Sequence, residues 1–105
     1  MSEVTERLAK LQERVDVALD AARSDEGASP VLRAVVEEFS RKFAKARKSI
    51  DDGGSEREAV VEAEQAADSA KYAAEADTGL GQQTRDAIVA AHDRVCVLKN
   101  KMDAS

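Results

Sequence analysis

The sequence predicts an all-α protein, a single up-down-up-down antiparallel four-helix bundle, and three observations carry that expectation. Apolar residues recur in alternating steps of four and three along four segments, the heptad seam of helices that pack on helices. Cap and turn residues punctuate the chain between those segments. No alternating β-branched run of strand type occurs anywhere. Helices are expected over about 2–24, 30–50, 55–76 and 82–102, in one domain covering residues 1–105.

The first helix opens at Ser2 as N-cap, with Glu3 and Glu6 at the positive end of the helix dipole. Its seam is Val4, Leu8, Leu11, Val15, Ala18 and Ala22. Gly27 breaks it, and Ser29-Pro30 starts the second helix as a cap followed by proline at the first helical position. That second helix carries Leu32, Val36, Phe39, Phe43, Ala46 and Ile50, and with them both phenylalanines of a chain that has no tryptophan. It ends in Asp51-Asp52-Gly53-Gly54, where glycine permits a left-handed cap. Ser55-Glu56-Arg57-Glu58 reads as a capping box opening the third helix. The third seam is all alanine: Ala59, Ala63, Ala66, Ala70 and Ala73. Asp77-Thr78-Gly79-Leu80-Gly81 interrupts the chain again, and the fourth helix repeats the pattern with Thr84, Ile88, Ala91, Val95, Leu98 and Met102.

The register of the three hairpins follows from these positions, because antiparallel neighbours pair at a constant sum of residue numbers. From Val4 with Ile50 to Ala22 with Leu32 that sum is 54; helices two and three give 109; helices three and four give 157 or 158. One expected core layer holds Leu11, Phe43, Ala66 and Ala91, and the next holds Val15, Phe39, Ala70 and Ile88. Large side chains thereby meet small ones, which fills a layer without voids.

Composition bounds the function. Charged residues make up 35% and apolar residues 43%, the balance of a foldable chain rather than a disordered one. Aromatic residues are only 3%, so the core is thin, and self-association as a homodimer is one way to add burial. A net charge of -5 argues against nucleic-acid binding by the domain as a whole. Cys96 is the only cysteine, which excludes an intramolecular disulfide. No apolar run reaches the roughly 18 residues of a membrane span. The start, Met-Ser-Glu-Val, lacks the regions of a signal peptide, so a cytoplasmic location is expected.

His92 is the only histidine. It follows the seam residue Ala91 and is expected at the helix flank, half-exposed. A half-exposed histidine on a four-helix bundle of this length resembles histidine phosphotransfer domains, and the resemblance implies His92 as a phosphoacceptor. The stretch Ala91-His92-Asp93-Arg94-Val95-Cys96 has neither the lysine nor the glycine with which that family follows its histidine. His92 and Cys96 are also four apart, so both can point from one helix face toward a metal, and two copies in a dimer would supply a tetrahedral set.

Arg41, Lys42, Lys45, Arg47 and Lys48 form a basic cluster without aromatic interleaving, expected to face Glu56, Glu58, Glu62 and Glu64 on helix three. Val60, Ala67 and Ala74 lie beside the third seam. Val61, Tyr72, Val89, Cys96 and Val97 fall on the outer side of helices three and four, a candidate contact face for a second copy or a protein partner. Enzyme signatures and cofactor motifs are missing. The expectation is a non-catalytic interaction module, with His92 phosphotransfer and a His92–Cys96 metal site as the alternatives.

Overall fold

The computed structural model describes residues 3–104, so the expected cap at Ser2 lies outside the described residues. Four helices follow one another: α1 (Glu3–Ser24), α2 (Pro30–Asp51), α3 (Glu56–Ala76) and α4 (Gln82–Ala104). Each packs on both of its neighbours, α1 closing the ring against α4, and the α2–α3 contact is the most extensive. A 22-residue helix is about 33 Å long at 1.5 Å per residue, which matches the 40 × 24 × 18 Å dimensions of the bundle. No helix is long and apolar enough to cross a membrane among the described residues.

The helix ends form as their residues dictate. The Leu32 N–H donates to Ser29 Oγ at 3.1 Å, and Pro30 occupies a first-turn position where no N–H is needed. The Glu58 N–H donates to Ser55 Oγ at 3.2 Å. At the end of α2 the Gly54 N–H reaches the Ser49 carbonyl at 2.8 Å, and the Gly53 N–H reaches Ile50 at 3.0 Å. That pair of bonds is a Schellman motif, and Gly53 at φ 93° supplies its left-handed residue.

Both layers are buried, with Phe43 fully enclosed, and the rings of Phe39 and Phe43 meet edge to face at 6.4 Å and 89°. Among the described residues, eleven of the 23 buried apolar ones are alanine, so the two rings supply much of the bulk. The third seam differs from expectation. Ala73 is only half-buried, whereas Val60, Ala67 and Ala74 are buried beside Ala59, Ala63, Ala66 and Ala70. Alanine explains the widening: apart from Val60, the buried residues of α3 are all alanine, so α2 and α4 both close on it and cover a broader stripe.

The loops at one end form an interlocked pair. Asp25 accepts the Gly27 N–H and the Gly81 N–H, both at 2.9 Å. Asp77 accepts the Gly79 N–H at 3.1 Å and the Ser29 N–H at 2.8 Å. Arg33 donates to the Asp25 carbonyl at 2.8 Å, and Arg85 donates to the Asp77 carbonyl at 2.9 Å. Each of these bonds has its counterpart 52 residues on, a repeat of Asp-x-Gly followed by Arg. Gly27 is glycine because the Gly79 carbonyl oxygen would lie 2.0 Å from a Cβ there.

The basic cluster does not face α3. Arg41 and Lys42 pair with Glu38 one turn back, Lys48 pairs with Asp52, and Arg47 donates to Gln12 of α1. Local pairs on one helix form with little loss of side-chain freedom, which explains the correction.

Candidate metal centre

α3 and α4 bring three donor side chains together at their interface. His92 Nε2 lies 2.8 Å from an Asp68 carboxylate oxygen and 3.4 Å from Cys96 Sγ. The three donor atoms all lie within 4.8 Å of one another. His92 Nδ1 in turn lies 3.0 Å from the Asp93 carboxylate. The arrangement follows from helix geometry. His92 and Cys96 are one turn apart on α4, and Asp68 meets them from the antiparallel α3.

His92 is buried, at 8% exposure, not half-exposed as its flanking position suggested. The alanine-lined α3 lets α4 approach closely enough to cover the ring. Cys96 and Asp68 stay half-buried, so one side of the cluster faces water.

The ring's hydrogen bonding is the telling feature. A neutral imidazole carries one N–H and can donate to one carboxylate only. Both ring nitrogens of His92 face carboxylate oxygens. A cation between Nε2 and Asp68 would satisfy both nitrogen and carboxylate. In the tautomer whose Nδ1–H donates to Asp93, the Nε2 lone pair points at Asp68 and Cys96, the carboxylate–histidine–metal arrangement of a metal site. Burial pushes the Cys96 thiol up, and the carboxylates of Glu64, Asp68 and Asp93 add to the effect, with Lys71 opposing. All of these except Lys71 disfavour a bare thiolate, and a divalent cation at the same place offsets them.

Other chemistry fits less well. Cys96, His92 and Asp93 have the order of a nucleophile, base and orienting group. Cys96 lies in mid-helix, however, where the helix ladder already engages the backbone N–H groups, so no oxyanion donors are at hand. A phosphoryl group arriving at His92 would enter between two carboxylates on a buried ring, which disfavours phosphotransfer.

The apolar residues of the expected contact face scatter. Tyr72 is 66% exposed, but Val61, Val89 and Cys96 are half-buried. Val97, 48% exposed, lies on the other side of α4, in a groove against α1. That groove has a volume of about 960 Å³, and its walls include salt-bridging and solvated side chains such as Arg7 with Glu3. It is far from a formed site: the acids and bases that line it are the ordinary outer faces of α1 and α4.

Sequence reasoning placed His92 and Cys96 together and missed Asp68, which is 24 residues away from His92 and on another helix. No protein-family model matches the chain, and neither a curated protein nor a solved structure matches it.

Proposed function

We propose that the protein is a non-catalytic bundle that binds one borderline divalent transition metal, such as zinc, through Asp68, His92 and Cys96. One nitrogen, one sulfur and one oxygen donor form a set suited to zinc or cobalt rather than to magnesium or calcium, which prefer oxygen alone. The observation that carries the reading is His92 with a carboxylate at each ring nitrogen and a thiol beside Nε2. Within one chain this supplies three ligands, so the second copy that the sequence required for a metal is no longer needed.

Zinc ligands sit about 2.0–2.3 Å from the ion. The 3.4 Å between Sγ and Nε2 suits two such ligands on one tetrahedron, and the shorter Asp68 contact must open by a few tenths of an ångström.

Cobalt(II) titration tests the reading. The native chain is expected to develop a thiolate-to-cobalt charge-transfer band that saturates at one cobalt per chain and is abolished by zinc. Cys96→Ser removes the band. Metal at 100 times its dissociation constant raises unfolding stability by about 2.7 kcal/mol. A folded native chain that shows no such band and no thermal shift with cobalt in excess overturns the reading.

A further inference from the structure

Two pairs of side chains face each other across the α3–α4 interface. Glu64 and Asp68 are one turn apart on α3; His92 and Cys96 are one turn apart on α4. The helices are antiparallel, and Glu64 with Cys96 has the same positional sum as Asp68 with His92, 160. The observed His92–Asp68 contact fixes that register, so Glu64 is the α3 residue opposite Cys96.

Glu64 is not among the three clustered donors; its carboxylate pairs with Lys99, with Nζ 3.4 Å from Oε1. This pair is no solvated surface contact: the Lys99 and Glu64 side chains are only 28% and 21% exposed. Lys99 is three residues beyond Cys96 on α4 and also lies 3.8 Å from Asp103. Asp103, whose other oxygen pairs with Arg57, is therefore a second acceptor for the ammonium if Glu64 leaves it.

We infer that Glu64 is the fourth ligand of the metal centre, and that Lys99 is an internal cation which holds it aside until the metal displaces it. The inference rests on the three-donor reading above. It decides the class of site: three protein ligands leave an open, reactive position, whereas four close the shell in the manner of a structural or storage site. On binding, the Cys96 thiol releases its proton to solvent and bonds the ion as thiolate, the Glu64–Lys99 ion pair breaks, a Glu64 oxygen bonds the ion, and Lys99 turns to Asp103.

Cobalt(II) again serves as the probe, since its visible d–d bands are strong in a four-coordinate tetrahedral site and weak when water raises the coordination number. The native chain is expected to show strong bands. Glu64→Gln keeps the thiolate charge-transfer band, weakens the d–d bands and loosens cobalt about 10-fold or more, since even an outer-shell partner is worth that much. Glu64→Asp, which keeps the charge but shortens the reach, gives a smaller loss. Lys99→Met tightens cobalt in the native background and leaves it unchanged when combined with Glu64→Gln.

Native affinity and native d–d intensity in a helical Glu64→Gln chain overturn the fourth ligand and leave the three-donor site standing. Equal tightening by Lys99→Met in both backgrounds shows that Lys99 acts only through its field, and overturns the displacement. A native chain with no charge-transfer band overturns both readings together.

Discussion

The α1–α2 hairpin and the α3–α4 hairpin share the Asp, Gly and Arg of their turns at a spacing of 52, and differ in what lies between their helices. In the first, α2 sends Phe39 and Phe43 into the core; the matching residues of α4 are Ala91 and Val95. In the second, Asp68, His92 and Cys96 cluster; the matching residues of the first are Asp16, Ser40 and Ala44, which hold no comparable donor set. The turn thus belongs to folding, because both copies carry it. The polar cluster does not, because the first hairpin forms without it. Concentrating the bulk in α2 also leaves α3 narrow, and that narrowness lets α4 come close enough to bury His92 against Asp68.

Breaking the bulky half has the largest expected effect. Phe43→Ala is expected to cost about 3–5 kcal/mol, the range for a fully buried aromatic, whereas Ile88→Val in the same core costs about 0.5–1.5 kcal/mol. Denaturant titration of the two variants reads the difference, and an unmeasurable loss for Phe43→Ala overturns the layer assignment.

The shared turn is the next target. Gly27→Ala forces a Cβ against the Gly79 carbonyl, an overpacking expected to cost about 1–3 kcal/mol. Gly53→Ala at the opposite end meets open space but must hold a positive φ, costing about 1–2 kcal/mol. A Gly27 variant as stable as native, judged by denaturation midpoint, shows that the loops do not interlock in solution.

Acid sharpens the comparison of the two loop aspartates. The Thr84 hydroxyl first, then the Gly81 and Gly27 N–H groups, hold Asp25 below its usual value. The Ser29 N–H, then that of Gly79, does the same for Asp77. A carboxyl with a lowered folded value stabilises above its unfolded value of about 3.9 and loses that contribution as pH falls through the folded value. Melting temperature is therefore expected to drop below about pH 4, and Asp25→Asn with Asp77→Asn to lower it at neutral pH and flatten the acid limb. An unchanged acid limb in the double variant excludes these two groups as its source.

The smallest expected difference separates the two arginines. Arg33 Nε donates to the Ala22 carbonyl at 3.3 Å, whereas Arg85 Nε is buried without a partner among the described residues. Arg33→Met is expected to cost about 1 kcal/mol more than Arg85→Met, the worth of one hydrogen bond. Equal losses by thermal denaturation show that Arg85 Nε finds a partner in solution.

Most of the architecture was legible in the residues. Ser29-Pro30, Gly53-Gly54 and Ser55 placed helix boundaries within two residues of those observed, because caps act on backbone groups only a few positions away. The half of the site that lies on one helix was legible too, since His92 and Cys96 share a face by periodicity alone. Asp68 was not, although its sum with His92 lies close to the register read from the α3–α4 seams and offers the signal that would have found it. The repeated Asp-x-Gly…Arg motif was also open to reading and was missed, because its two copies are 52 residues apart and make sense only as contacting loops.

Periodicity and capping act within a turn or two of chain, so the sequence by itself determined the number of helices, their limits, their antiparallel order and the inward faces. Tertiary structure decided what depends on distance between chains of atoms: how far the alanine face lets α4 advance, the burial of His92, the pairing of the basic cluster with Glu38, Asp52 and Gln12 rather than with α3, and the meeting of Asp68 with Cys96. Those outcomes turn on a few tenths of an ångström in helix separation, which side-chain volumes across the whole core set jointly and no local pattern encodes.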